Sequence, residues 1–265
     1  MTPLPISVCM ISGAEAGRIG PALASVAGWV ADVQVVLNEE VADGTEEICR
    51  AHGAAVQRRP WAGYVAQMQA AAELATRPWV LALDADERVS AELRGEIEAA
   101  FLRGPDAAVA AFSMPRMTWY LDRWIRHGDW YPDRKVRLWR RGQGRWAGQD
   151  PHYHLEVRGQ VVRLHAALLH LSFPSLGHHV RKIDRYGDLY ARAAGGASLG
   201  ALAVRPAWRF VRGYVIRGGF LDGRAGFMVA MMTAFEAFVR HAKRIERSSG
   251  QSPEPSAAGP AAGAA

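Results

Sequence analysis

Residues 79–90 read WVLALDADERVS. An apolar run, Trp79 to Leu83, stops at Asp84-Ala85-Asp86-Glu87. A run of this length, bounded by polar residues, predicts a buried strand over 79–84. Acids crowded at its end repel one another, so folding alone gives no reason for them. In extended backbone, residues i and i+2 point the same way, so both Asp84 and Asp86 are expected to face one site. Hard divalent cations such as Mg²⁺ and Mn²⁺ take oxygen ligands, and they commonly bridge one or two carboxylates to a substrate phosphate. A turn with solvated acids is the plainer reading of an isolated D-x-D.

Outward from this stretch, strand and helix alternate. ISVCMI (6–11), VQVVL (33–37) and AAVQ (54–57) read as strands, and 18–29, 43–53, 63–76 and 90–102 as helices. Ser90 is the expected N-cap of the last helix, and Gly53 suits the position just past the end of the second. Such alternation predicts an α/β fold with a mostly parallel sheet flanked by helices. Ligands of open α/β sheets bind beyond the carboxyl ends of the strands, where Asp84 and Asp86 stand. From about residue 107 the pattern becomes antiparallel, with strands near 108–117, 134–140 and 160–172, and the run 116–146 interleaves Trp with Arg.

Charge divides the chain further. Residues 1–173 hold 19 Lys and Arg against 20 Asp and Glu, whereas residues 174–247 hold 13 against 5. A nearly neutral body with a basic extension argues against a nucleic-acid binder and for an anionic membrane surface as partner. The expected organisation is a body over 1–173, basic amphipathic helices over 174–247, and a disordered Ser/Pro/Ala/Gly tail over 248–265. Apolar residues make up 49% of the chain, enough for a sizeable core. Cys9 and Cys49 have no metal-ligand spacing and read as reduced. No leader-like segment and no apolar run of about 18 residues is present, so a cytosolic setting is expected.

Five stretches stand in order along the chain: ISVCMIS followed by Glu15, VADGTEEICRAHGAAVQRRPWAGY, WVLALDADERVSAELRGEI, WIRHGDWYPDRKVRLWRRGQGRW and RPAWRFVRGYVIRGGFLDGRAGF. By these stretches the chain resembles the family 2 glycosyltransferases of the GT-A fold, and among them the branch that adds sugars to the lipopolysaccharide inner core, the β-1,4-glucosyltransferases. The resemblance implies a GT-A sheet, a UDP-sugar donor, a divalent metal (Mg²⁺ or Mn²⁺), and inverting transfer of a sugar such as glucose to a lipid-linked saccharide. Position by position it places Glu15, Asn38, Arg59, Gln67 and Asp84 at the nucleotide-sugar and Asp86 at the metal. Trp130, Tyr131 and Asp133 fall at the acceptor. Asn38 stands where the family usually has Asp. The base that deprotonates the acceptor is usually a Glu, and Tyr153 occupies its position in DPHYHLEV. Asp150 or His152 is expected to take that role, with His154 a further candidate. The rival expectation is a non-catalytic saccharide- or membrane-binding protein on a degenerate scaffold.

Overall fold

The structure, a computed structural model, describes residues 2–149, 152–192 and 198–249. Its first half alternates: β1 (Leu4–Ser12), α1 (Ile19–Ala24), β2 (Val30–Asn38), α2 (Thr45–Ala51), β3 (Ala55–Arg59), α3 (Tyr64–Glu73), β4 (Trp79–Ala82), β5 (Glu87–Val89) and α4 (Ala91–Leu102). Seven strands follow: β6 (Val109–Tyr120), β7 (Arg123–Trp124), β8 (Asp133–Arg140), β9 (Gly144–Gln149), β10 (His152–Val157), β11 (Gln160–Arg163) and β12 (Leu168–His170). Three helices close the described chain: α5 (Leu176–Arg192), α6 (Leu199–Val211) and α7 (Gly223–Ser249). The last runs two residues past the boundary expected at 247, and residues 250–265 of the expected tail lie outside the described residues.

The main sheet has the order β3-β2-β1-β4-β8-β6-β12-β5. From β3 to β4 it is parallel. Beyond β4 it is mixed: β8 runs antiparallel to β4 and β6, β12 parallel to β6, and β5 antiparallel to β12. Alternation along each strand fills two cores. Ile6, Val8 and Met10 of β1, with Trp79 and Leu81 of β4, pack toward buried residues of α1, α2 and α4. Cys9, Val80 and Ala82 point the other way, toward Met68 and Ala71 of α3 and toward Trp139 and Trp146. Ser90 caps α4 as expected, its hydroxyl accepting from the Leu93 N–H at 3.1 Å.

The C-terminal helices pack on a third, aromatic core of Tyr120, Ile125, Ala225 and Val229, against which Trp130 and Phe173 lean. Between α6 and α7 the chain makes a π-helical segment, Arg212–Ile216, and a 3₁₀ turn, Gly219–Asp222. Glycines permit this tight passage. A Cβ on Gly226 would lie 1.8 Å from the Gly219 carbonyl oxygen, and one on Gly219 would lie 2.7 Å from that of Gly213. Neither neighbour is a side chain that could turn away.

Candidate active site

The apolar run ends its strand at Ala82, and a turn follows, closed by the Glu87 N–H donating to the Asp84 carbonyl at 2.9 Å. This corrects the expectation of an extended D-x-D. The two carboxylates leave the turn toward different partners within one cluster, because Glu87 must turn inward to reach its own.

Glu87 is fully buried at the centre. Its Oε1 accepts from Arg137 at 2.8 Å and from Arg116 at 3.3 Å, and its Oε2 accepts from the Asp84 N–H at 3.1 Å. Arg137 also donates to Asp84 at 2.5 Å, and Arg116 to Asp133 at 2.7 Å. Three carboxylates and two guanidiniums therefore alternate from Asp84 to Asp133, drawn from the β4–β5 turn, β6 and β8. Burial favours the neutral form of Glu87, yet Arg137 and Arg116 hold its carboxyl below the usual range. Asp84 moves the other way: burial pushes its carboxyl up against the pull of Arg137, and the charges of Glu87 and Asp86 add to the rise.

Asp86 faces His170 at the end of β12, with Oδ2 3.5 Å from Nε2. The other ring nitrogen, Nδ1, is 3.0 Å from the Thr118 hydroxyl, which fixes the ring's orientation. Burial works against the Asp86 charge, but the hydrogen bond and charge of His170, then Lys182 and Arg18, hold its carboxyl far below the usual range. Lys182 reaches in from α5, its ammonium 2.6 Å from the Ser172 hydroxyl; burial lowers its pKa while Asp86 opposes the fall. Arg18 comes from the loop after β1 and pairs with Glu15 at 2.5 Å. The Glu15 carboxyl is raised by burial against that pairing, with the charges of Asp86 and Asp43 adding to the rise. One firmly ionised carboxylate thus lies between a histidine and an arc of cations.

Asp86 and His170 can hold a divalent cation. Among the described residues no three His, Cys, Asp or Glu side chains group as a metal cage. Mg²⁺ and Mn²⁺ do not require one, since they take one or two protein ligands and draw the rest from phosphate and water. An ionised carboxylate facing an oriented imidazole meets that need.

The other expected residues divide. Glu15, Asn38, Arg59 and Asp84 all stand at or beyond the carboxyl ends of the parallel strands, and Asn38 and Arg59 are register partners on β2 and β3. Gln67 is buried, and its amide donates to the Pro60 carbonyl at 2.9 Å, pinning the turn before α3. Asp133 closes the charge ladder and also pairs with Lys135 at 3.0 Å. Trp130 stacks on Phe173 with ring centres 5.0 Å apart and meets Tyr120 edge-on. Tyr131, half-buried, precedes a cis peptide to Pro132. Asp150 lies outside the described residues, and of His152 only the backbone is described, paired with Gln149. His154 is exposed, 3.8 Å from Glu156.

Tyr153 packs in a row of rings, 5.6 Å from Tyr64 and 5.7 Å from Trp146. Burial, then the charge of Asp84, push its phenol well above the ordinary value. It cannot act as a general base near neutral pH. Sequence reasoning missed Glu87, Arg116, Arg137, His170, Lys182 and Arg18. The signal within reach was that Lys182 is one of only three lysines in the chain.

Comparison with known proteins adds the following. The model of the family described as Glycosyl transferase family 2 matches residues 7–159. An uncharacterized glycosyltransferase of Rickettsia felis is 30% identical over 260 residues, covering 91% of this chain and 89% of its own. The lipopolysaccharide core biosynthesis glycosyltransferase LpsC of Rhizobium meliloti is 28% identical, covering 92% of this chain and 93% of its own. Among solved structures, the mannosyltransferase PcManGT from Pyrobaculum calidifontis, determined in complex with GDP-Man and Mn²⁺, superposes with a TM-score of 0.53 at 16% identity, over 92% of this chain and 89% of that one. That likeness concerns the fold.

Proposed function

The chain belongs to glycosyltransferase family 2, and from that premise we propose that it is an inverting hexosyltransferase moving a sugar such as glucose from a UDP-sugar to a lipid-linked saccharide of the lipopolysaccharide-core kind. The observation that carries the site's role is the Asp86–His170 pair beneath Lys182 and Arg18. It is a place for a diphosphate and its cation at the carboxyl end of a parallel sheet. The acceptor class is supported by the likeness to LpsC.

In the transfer, the acceptor hydroxyl oxygen bonds to the anomeric carbon as the bond from that carbon to the diphosphate oxygen breaks. The electron pair leaves with the diphosphate. Asp86 and His170 would hold a divalent cation, which would supply charge neutralisation for the diphosphate. Lys182 and Arg18 add fixed positive charge where negative charge grows, which stabilises the transition state more than the ground state. Asp84, anchored by Arg137, is positioned to meet the ribose, with Glu15, Asn38 and Arg59 around the base. Trp130, Tyr131 and Asp133 mark the acceptor side. The hydroxyl proton goes to Asp150 or His152.

The acceptor is met at an anionic membrane surface, on the cytoplasmic face of the inner membrane, with the enzyme peripheral to it. No helix of the described residues is long and apolar enough to cross a membrane. A second reading, a non-catalytic saccharide-binding protein, is favoured by Tyr153 at the base position.

Release of UDP from UDP-glucose, with lipopolysaccharide-core acceptor and Mn²⁺ or Mg²⁺, tests the proposal. Wild type should turn over only with metal, and Asp86→Asn should lose roughly 10²-fold or more. Binding of UDP-glucose without turnover under any condition would favour the second reading. Undiminished turnover by Asp86→Asn would remove the assigned cation site.

A further inference from the structure

Asp129 is a nearly buried carboxylate on which three arginines converge. Arg212 donates to it at 2.7 Å, Arg217 stands at 3.3 Å and Arg209 at 3.8 Å. One negative charge meets three positive ones, and the guanidiniums remain between a third and a half exposed. Structure alone would need one arginine to clamp Asp129. The other two leave a net positive, partly exposed cluster, and guanidiniums are suited to phosphate oxygens.

The surroundings say where that phosphate comes from. Val204, Trp208, Val211 and Val215 are exposed at spacings of four, three and four residues, a single stripe along α6 and its π-helical continuation. Phe227, Met231, Phe235 and Phe238 make the equivalent stripe on α7. The helices pack side by side, with Phe227 edge-on to both Phe210 and Tyr214. Each stripe lies opposite the side by which its helix meets the body. For α7 that side is Ala225 and Val229 in the aromatic core; for α6 it is reached through Gly213, which backs onto Asp129. At 100° per residue, Arg205, Arg209 and Arg212 fall about a quarter to a third of a turn to one side of the α6 stripe. Trp208 and Val215 are 54% and 56% exposed, so the stripe is open surface rather than covered core.

We propose that the outer face of α6 and α7 lies on an anionic phospholipid bilayer, with the Arg209–Arg212–Arg217 cluster over Asp129 binding a phosphate of that surface. This rests on the membrane-borne acceptor proposed above and assigns the surface and the anion site that would meet it. The basic flank gives charge complementarity to anionic headgroups and repels a second copy of the same face. The apolar stripes suit the acyl boundary and have no use in binding a nucleic-acid backbone. Asp129 directly precedes Trp130 and Tyr131. Seating a phosphate beside Asp129 therefore fixes the membrane against the loop assigned to the acceptor. The phosphate is that of a lipid headgroup, and one carried on the saccharide acceptor is the outcome the test sets against it.

The full chain is mixed with vesicles of phosphatidylcholine alone or with 30 mol% phosphatidylglycerol, about an arbitrary mid-range anionic content, and binding is followed by co-sedimentation. Wild type should bind only the anionic vesicles, less tightly as salt rises. Arg209→Gln with Arg217→Gln keeps the short Arg212–Asp129 bond and should weaken binding about 30-fold, from about 1 kcal/mol per arginine. Trp208→Ser with Val215→Ser, both exposed, should weaken binding at constant charge. Nucleotide-sugar turnover on a soluble, phosphate-free acceptor should be unchanged in both. A core oligosaccharide bearing phosphate that binds wild type but not the arginine variant, with anionic vesicles unbound, would move the phosphate to the acceptor and overturn the bilayer surface. Equal vesicle binding by the variants, a stable dimer that buries the stripes, or preference for RNA would also overturn it. Lack of turnover with intact vesicle binding would instead count against the proposed reaction.

Discussion

Replacing Arg137 by Met removes the guanidinium that forms ion pairs with both Asp84 and Glu87. Arg137 is 4% exposed and Glu87 fully buried, so water does not take over the contact between them. Glu87 keeps Arg116 at 3.3 Å, but Asp84 is left as a half-buried carboxylate without its ion-pair partner. Removing one member of a buried pair costs about 3–5 kcal/mol. For a chain of this size that is a fall of roughly 6–20 °C in Tm. Urea unfolding and thermal melts read the change directly. The loss should shrink on moving from pH 8 towards pH 5. Burial raises the Asp84 carboxyl above its unfolded value, so the folded state keeps a proton to higher pH and gains relative to the unfolded one as pH falls. Adding Asp84→Asn and Glu87→Gln should recover a large part of the loss, because no unpaired charge remains. A penalty below about 1 kcal/mol, typical of an exposed pair, would refute the description of this cluster as buried and mutually dependent.

Three further expectations follow from other parts of the molecule. Lys182→Met should lower kcat about 10²-fold with a smaller change in KM for the nucleotide-sugar, and Lys182→Arg should restore part of it; steady-state kinetics with metal present decides. His179 is held neutral, its pKa lowered to about 4 by burial and then by Lys182 and His178, so the unfolded chain binds its proton first. Stability should therefore fall between about pH 6.5 and pH 4, by about 3 kcal/mol from this group, and His179→Phe should flatten that slope in urea titrations. Gly226→Ala drives a methyl into the Gly219 carbonyl and should cost about 2 kcal/mol or more, whereas Gly95→Ala, within α4 with open space around it, should gain about 0.5–1 kcal/mol. Thermal melts of the two variants should move in opposite directions.

The legible part of the fold was the part encoded locally. Ile6, Val8 and Met10 alternate with Ser7 and Cys9, and the apolar run from Trp79 breaks at an acid, so the strands and the acidic end of β4 could be read residue by residue. Asp84 and Asp86 were found this way. Their partners were not, because Arg137, Arg116 and His170 come from strands brought beside them by the order β4-β8-β6-β12, which follows no sequence pattern. Glu87 stood in the quoted stretch, but its burial depends on guanidiniums 29 and 50 positions away. Trp130 shows another limit. An indole suits a sugar face and an aromatic core equally well, and here its ring stacks on Phe173. In the C-terminal helices the amphipathic spacing was visible, while the π-helical segment was not, and its Gly213 approaches Asp129, 84 positions away in sequence.

The join between the two halves of the sheet also bears on how the molecule is made. β4 and β8 share three register pairs, Trp79–Arg140, Val80–Trp139 and Leu81–Leu138, and the Arg137 clamp sits just past them. The parallel strands β1 to β4 can pair as soon as residue 82 has been synthesised, but Asp84 and Glu87 then lack Arg137 and Arg116, the cations they pair with. They are disciplined only when β8 docks, after a loop of more than fifty residues has closed. Ordering of the Asp84–Glu87 pair by Arg137 is therefore a late event of chain assembly. A nascent or truncated chain ending before Arg137 would carry Asp84 and Asp86 in place and still lack the ion pairs that order them.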